Sequence, residues 1–383
     1  MSHLLDNLGG AKWEPTFISG EGALVWDVGG RTYWDFYGGH AVTLIGLGHP
    51  RWVHAITEQA AELSFFTAVG DVPVRGRAAT KLCDFTGMDR CFFVNSGAEA
   101  NEAALKVARK ATGRGTIVAM ENGFHGRTMG ALGATWKYRN QHAPAHGEVR
   151  FVPFGDLEAV RAALDATVAA VITEPVQGMA GVVMPPDGWL EGVVHAAHEV
   201  GALVIADEVQ SGIGRMGAPL ASHLFGITPD IATVGKGVGG GFPVAAMLCT
   251  DAVAATVLPG EHGTTFGGAP MACAAVEATL DILVDQDLLV KADSVFAEVE
   301  AQLGSVPGVV DVRGAGAWVA VVLDRPAGPV AAGLRRAGIL VGTSTDPAVL
   351  RLAPPAVVPV VAIRMLADAL AYELAAPAIE GAA

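Results

Sequence analysis

Hydrophobic positions along this chain follow two different periods. Near the start, two β-prone runs, Leu24–Val28 and Arg31–Asp35, flank Gly29-Gly30 and predict a hairpin over residues 23–36. After Pro50, apolar side chains recur at Trp52, Val53, Ile56, Ala60 and Leu63, the spacing of an amphipathic helix. From residue 91 the pattern becomes short, almost wholly apolar runs: Cys91–Val94, Thr116–Met120, Val149–Phe154, Ala169–Thr173, Ala202–Ala206 and Asp230–Val234. Helical patterns at about 98–112, 156–166 and 189–200 separate some of them. Strands that are apolar on both faces and alternate with helices predict an α/β fold around a buried, mainly parallel sheet. Residues that carry chemistry then belong at the C-terminal ends of those strands. Beyond about residue 280 the order changes to a helix (about 281–304), strands within Val309–Leu323, a helix near 328–337 and a last helix near 361–375, which predicts a smaller α+β unit.

Two of the strand ends carry opposite charges. The run Asp230–Val234 leads into Gly235-Lys236-Gly237-Val238-Gly239-Gly240, and Ala202–Ala206 ends in Asp207-Glu208. A lysine at one strand end and a carboxylate at a neighbouring one suit a Schiff-base site for pyridoxal phosphate. The lysine holds the aldehyde, and the acid keeps the pyridine nitrogen protonated so that the ring can accept electrons. Ser96, Gly97 and Ala98 end another strand and open a helix, where free N–H groups and a hydroxyl form a phosphate cradle; an ordinary serine N-cap has the same sequence. Phe124, in Gly123-Phe124-His125-Gly126-Arg127, is placed to stack on a flat ring or to cap the core. Arg127 offers a planar fork for a carboxylate, although any single arginine is by default a surface residue. Glu174 and Gln177 end a further strand and face the same crevice, as residues of a solvated turn also would. Arg351, inside the apolar Leu350-Arg351-Leu352, is costly unless paired, which points to a carboxylate ligand.

Two lookalikes are set aside. Gly235–Gly240 fits G-x-G-x-x-G, but Phe242–Leu248 after it reads as a strand, whereas a dinucleotide fingerprint opens a helix. His195 and His198 share a helix face without further ligands nearby and read as solvated, so no metal is expected.

Composition narrows the partners. Across 383 residues, 25 basic against 39 acidic side chains give a net charge of −14, which argues against nucleic acid and anionic membranes. No stretch reaches the ~18 apolar residues of a membrane span, and Met1–Gly10 lacks the basic start and apolar run of a leader. Four scattered cysteines read as small core residues in a reducing compartment, so a cytoplasmic location is expected.

Taken in order, the motifs resemble the class-III (ω-amino-acid) aminotransferases of the pyridoxal-phosphate fold type I, and within them the acetylornithine/ornithine branch. The resemblance is carried by NSGAEANEAALKVARK (95–110), FHGRTMGALGAT (124–135), ITEPVQG (172–178), VIADEVQSGIGR (204–215) and the Lys236 segment. It implies a seven-stranded, mainly parallel sheet in a large cofactor domain (46–280). A smaller α+β domain (281–383) is joined by the N-terminal segment (1–45). It implies Lys236 as the Schiff-base lysine and proton shuttle, Asp207 on the pyridinium, Gln210 on the ring oxygen, and Val209 and Phe124 on the two ring faces. It also implies that Ser96, Gly97 and Ala98 bind the phosphate together with Thr265 of the other subunit of a homodimer. Arg127 and Arg351 are implied to hold substrate carboxylates.

The implied reaction moves an ω-amino group from an N-acetylornithine- or ornithine-like donor to 2-oxoglutarate, giving a semialdehyde and glutamate. A different reaction on the same scaffold, such as an aminomutase or decarboxylase reaction, or transfer from a specialised amine, is the alternative. The chain departs from the pattern where family members carry a glutamate that masks the second arginine, which here is Met179. Gly39 stands where ornithine-type members place a tyrosine, and a glycine there leaves room for an acyl group. Ala269 replaces an asparagine, Thr67–Arg75 differs from the usual substrate wall, and Tyr37 and His40 are expected to line the pocket instead.

Overall fold

A computed structural model describes residues 12–138 and 147–375. The opening ten residues, on which the leader reading rests, lie outside that range, as do the last eight. The strands, in chain order, are β1 (Phe17–Glu21), β2 (Leu24–Asp27), β3 (Thr32–Asp35), β4 (Arg90–Val94), β5 (Thr116–Met120), β6 (Val149–Val152), β7 (Val168–Thr173) and β8 (Leu203–Asp207). They continue with β9 (Ile231–Val234), β10 (Ala245–Cys249), β11 (Val309–Ala315), β12 (Trp318–Leu323), β13 (Ile339–Leu340), β14 (Gly342–Thr343) and β15 (Val349–Leu352).

The central sheet has seven strands in the order β4-β10-β9-β8-β7-β5-β6. Only β10 runs antiparallel to its neighbours. Both faces are covered, which is why the strands read as unbroken apolar runs. Ile117 and Ala119 of β5 pack with Ala103, Ala104 and Val107 of the helix Gly97–Thr112 on one face. Val118 and Met120 of the same strand pack with Trp189, Leu190 and Val193 of the helix Trp189–Glu199 on the other. The alanines along Gly97–Thr112 bring that helix close to the sheet, and Gly113, at φ 66°, ends it.

Two four-stranded sheets flank this layer, in the orders β1-β2-β3-β13 and β11-β12-β15-β14. The first joins the two ends of the chain, because β13 pairs in parallel with β3. The hairpin over 23–36 and the helix after Pro50 (Pro50–Glu62) stand as the pattern predicts. The single helix expected over about 281–304 is instead two, Pro270–Asp285 and Leu288–Leu303, broken at Asp287 in the left-handed region (φ 52°). Apolar periodicity runs through such a corner without marking it. β6 stops at Val152, ahead of Pro153, which has no N–H for the ladder. The helix Pro73–Thr86 has only weak apolar periodicity and was not predicted.

Candidate active site

The C-terminal ends of β4, β7, β8 and β9 converge on a cavity of about 400 Å³. Asp207 is the last residue of β8, Glu174 follows β7, and Lys236 lies two residues beyond β9. All three line the cavity, together with Gly97, Ala98, Phe124, Arg127, Val209 and Gln210. His40 and Met179 complete the wall on the side away from the sheet.

Asp207 is almost fully buried and is held from several directions. Oδ2 accepts from Asn101 Nδ2 at 2.8 Å and pairs with His125 Nδ1 at 2.8 Å. Oδ1 accepts the Val209 N–H at 3.1 Å and lies 3.4 Å from the Thr233 hydroxyl, which donates to Asn101 Oδ1 at 2.8 Å. Burial alone pushes its pKa up, but the hydrogen bond and charge of His125, with Lys236 and the Val209 N–H, bring it below the ordinary carboxylate value. The Lys236 amine is shifted the other way. Burial lowers its pKa, and the attraction of Asp207 and Glu174 restores only part of the loss. Lys236 also has φ 43°, an uncommon backbone for a residue with a side chain, and such strain gathers at functional positions. Glu174 accepts from the N–H groups of Phe124 (2.9 Å) and Gly178 (3.1 Å), and burial pushes its pKa up to about 7.

The glycine and helix-end features fit a flat, phosphorylated ring. A Cβ on Gly97 would overlap Val209 Cγ1 and lie 2.9 Å from Cγ2, so this close approach needs glycine. Gly97 and Ala98 open a helix of 16 residues, whose first N–H groups have no intrahelical acceptor and point to an anion. Ser96 forms the N-cap, its Oγ accepting the Glu99 N–H at 3.3 Å, so the capping reading of this serine holds in the chain alone. A buried acid, an amine, an aromatic ring and an anion cradle around one cavity are the donor set that pyridoxal phosphate requires.

Arg351, also buried, donates Nε to Thr343 O (2.7 Å) and Nη1 to Gly178 O (3.2 Å), both backbone carbonyls. Thr345 donates its N–H (2.9 Å) and its hydroxyl (3.0 Å) to Met179 O, which fixes that turn beside the arginine. Not every expected residue reaches the cavity. Thr265 is exposed on its loop and does not line the cavity of its own chain. Gly39 does not line it either; the neighbouring His40 ring does. The reason is a left-handed turn through Gly38, Gly39, His40 and Ala41, at φ 59°, 58°, 63° and 71°. Asp35 Oδ1 braces that turn by accepting the N–H groups of Tyr37 (3.0 Å) and Gly38 (2.8 Å). The Tyr37 hydroxyl and His40 Nε2 are hydrogen-bonded. Burial, then the charges of Arg351, Lys236 and Arg127, lower the His40 pKa to about 4, so its ring is neutral at pH 7.

Sequence reasoning passed over Asn101, His125 and Thr233, the residues behind Asp207. The signal was available, because a carboxylate at the end of a buried strand must find donors and these side chains lie in or beside the same motifs.

A sequence profile of the class-III aminotransferases matches residues 12–373. The chain belongs to that family. An acetylornithine aminotransferase of Methanothermobacter thermautotrophicus is 40% identical over 366 residues, covering 94% of each chain. Among solved structures, the ornithine aminotransferase of Toxoplasma gondii, described with pyridoxal phosphate at partial occupancy in its active site, superposes with a TM-score of 0.90 at 30% identity, covering 96% of this chain and 92% of that one. The acetylornithine aminotransferase of Elizabethkingia anophelis superposes with a TM-score of 0.83 at 30% identity, covering 97% of each. The protein is therefore a pyridoxal-phosphate-dependent aminotransferase of fold type I.

Proposed function

We propose that this aminotransferase takes the ω-amino group of an N-acylated, ornithine-like donor and passes it to 2-oxoglutarate, working as a homodimer in the cytoplasm. The observation that carries the reading is the gathering of Lys236, Asp207, Phe124 and Val209 around one cavity that Arg127 also lines, with the Arg351 guanidinium beside it.

When bound, pyridoxal phosphate supplies an electron sink for the charge left on the substrate carbon after deprotonation. Lys236 is the base in this reading. Its lowered pKa keeps more of the amine neutral at pH 7 than an exposed lysine would have, and it then returns the proton it has taken. Asp207, held ionised by His125, Asn101 and Val209, would hold the ring nitrogen of the bound cofactor and keep it protonated. Phe124 and Val209 would pack on the ring, Gln210 would bond its oxygen, and Ser96, Gly97 and Ala98 would hold the phosphate. Arg127 and Arg351 take the two carboxylates of glutamate or 2-oxoglutarate. With Met179 in place of an acid, Arg351 has only backbone carbonyls as partners among the described residues and stands ready for a carboxylate. Both half-reactions use one cavity, so ping-pong kinetics follow.

Dimerisation is supported by an apolar patch next to Thr265. Phe65, Phe66, Val69 and Phe266 are exposed, and the rings of Phe65 and Phe266 lie 5.3 Å apart. A second copy covering this patch carries Thr265 towards the phosphate site of its partner. The cytoplasmic placement is supported by four unpaired cysteine thiols. No helix among the described residues is long and apolar enough to cross a membrane.

The test is a spectral half-reaction. Holoenzyme is mixed in turn with N-acetylornithine, ornithine, 4-aminobutyrate and glutamate, and the visible band is followed. Loss of the band with N-acetylornithine and glutamate, reversed by 2-oxoglutarate, is the expected result. No change with any of them would refute the transfer.

A further inference from the structure

Two irregular loops lead into two helices that lie side by side. Residues 63–72 precede Pro73–Thr86, and residues 255–269 precede Pro270–Asp285, each helix opening on proline. Arg77 pairs with Glu277 at 3.1 Å, and Lys81 pairs with Glu277 at 3.3 Å and with Asp281 at 2.6 Å. The step from Arg77 to Lys81 is matched by the step from Glu277 to Asp281, so the helices run in the same direction. Their leading loops therefore emerge at the same end. Neither loop contains a strand or a helix, and its carbonyl groups need donors from elsewhere.

Arg75 supplies such donors to both. It sits in the first turn of Pro73–Thr86. Its Nε donates to Gly268 O at 2.7 Å, 193 residues away, and its Nη1 to Gly70 O at 3.1 Å. Nη2 donates to Phe66 O at 3.0 Å and to Thr67 O at 3.4 Å. All of these acceptors are backbone carbonyls, so one rigid fork ties the two loops together. The approach at Gly268 is close. A Cβ there would crowd Arg75 Nε at 3.0 Å, and φ 69° itself favours glycine.

What this clamp holds is exposed. Phe65, Phe66, Val69, Thr265 and Phe266 face solvent in this chain, and the Phe65 and Phe266 rings, one from each loop, meet at 5.3 Å. None of residues 63–75 lines the catalytic cavity of the same chain. An arginine that fixes the backbone of such a surface acts where that surface meets a second copy. We propose that Arg75 is a positioning residue for the cofactor site of the other subunit. By clamping Phe66–Gly70 to Gly268, it sets Thr265, three residues earlier, against the partner's phosphate cradle. The inference rests on the homodimer proposed above. Each cofactor site then depends on an arginine of the other copy that touches neither cofactor nor substrate.

The experiment uses mixed dimers isolated through two different affinity tags, with Lys236→Ala on one chain so that a single reactive lysine remains per dimer. In the first dimer, Arg75→Met lies on the chain that carries Lys236→Ala, so the remaining lysine has a partner without the clamp. In the second, the two substitutions lie on opposite chains, so the remaining lysine has an intact partner. Each dimer is freed of cofactor and titrated with pyridoxal phosphate, and the visible band reads binding at the remaining lysine. A dimer altered only by Lys236→Ala is the reference. The first dimer is expected to bind about tenfold more weakly, the loss for one hydrogen bond to a charged group. The second is expected within about twofold of the reference, the range of an ordinary surface change. Thr265→Ala on the chain with Lys236→Ala should weaken binding as much and add little to Arg75→Met, since both act through one contact. Equal weakening in the two arrangements, weakening in the second alone, or none in the first overturns the proposal, and so do losses that multiply. Should Arg75→Met prevent the chains from pairing, Arg75→Lys, which keeps the charge without the fork, takes its place with the same asymmetry expected. Sedimentation of the unaltered holoenzyme separates the two readings: a monomer refutes the homodimer and the clamp with it, whereas a dimer with symmetric losses refutes the clamp alone.

Discussion

Asn101 offers the sharpest test of how the acid of this site is held. It is 1% exposed. Its Nδ2 donates to His125 O at 2.7 Å and to Asp207 Oδ2 at 2.8 Å, and its Oδ1 accepts the Thr233 hydroxyl at 2.8 Å. Asn101→Ala removes all three bonds from a place closed to bulk water. A buried bond to a carboxylate contributes about 1.5–3 kcal/mol, and each neutral group left unpaired costs about 1–3 kcal/mol. Thr233 can turn to Asp207 Oδ1, 3.4 Å away, and recover part of this. The expected loss is therefore about 3–5 kcal/mol in the cofactor-free protein. Losing a donor to its charged form also raises the Asp207 pKa, so cofactor affinity should fall as well. Urea unfolding of the cofactor-free protein at pH 7, at one fixed protein concentration, reads the first effect by linear extrapolation. Equilibrium titration with pyridoxal phosphate reads the second. A stability loss below about 1 kcal/mol, the size of an ordinary surface change, together with unchanged affinity, would refute the account of Asp207 given above.

Further predictions follow from the same geometry. Gly97→Ala puts a methyl group into Val209 and should abolish saturable cofactor binding, read by the visible band, while far-ultraviolet dichroism is retained. Lys236→Ala should lower the half-reaction rate with glutamate by about 10³-fold or more, read by stopped flow. Arg351→Ala should raise KM for glutamate by about a hundredfold, the factor for two charge-assisted bonds, with little change in cofactor affinity; unchanged glutamate kinetics would remove its role. Glu174, raised to about 7 by burial, holds its proton more tightly folded than unfolded. Its contribution to stability is thus greatest below its unfolded value and is lost as pH rises through about 7. In the cofactor-free protein Glu174→Gln should remove up to about 3 kcal/mol of that pH dependence, measured as unfolding free energy at pH 5 and pH 8.

The central layer was legible because a sheet buried on both faces leaves unbroken apolar runs, and its strand ends carry Asp207, Glu174 and Lys236 in plain view. Other parts leave weaker traces. The corner at Asp287 interrupts two helices without interrupting their apolar spacing. The helix Pro73–Thr86 buries one stripe, Val74, Ala78, Leu82 and Thr86, in which small and polar side chains alternate with the large apolar ones, and so it leaves little periodicity to read. Within the site, the side chains on the central sheet could be placed from motif and strand end alone. The opposite wall could not. Tyr37 and His40 were expected there along with Gly39, and that the His40 ring and not Gly39 faces the cavity depends on four successive left-handed residues, which no hydrophobic pattern encodes. The support behind Asp207 was missed for a different reason: Asn101 and His125 precede it by 106 and 82 residues, and their motifs meet it only in the fold.

The pairing of β3 with β13 has a consequence for synthesis on the ribosome. The seven-stranded sheet needs nothing beyond Cys249, so Asp207 and Lys236 can take their places while the C-terminal third of the chain is still unmade. Tyr37 and His40, although made before either of these, must wait for Ile339–Leu352 before the strand that precedes them gains its neighbour and Arg351 arrives. The nascent chain therefore acquires its chemistry before its selectivity. A polypeptide stopped short of residue 339 would hold the reactive lysine with no finished wall to choose what reaches it, and early chaperone or protease engagement with that open edge is the cellular cost of building one sheet from both ends.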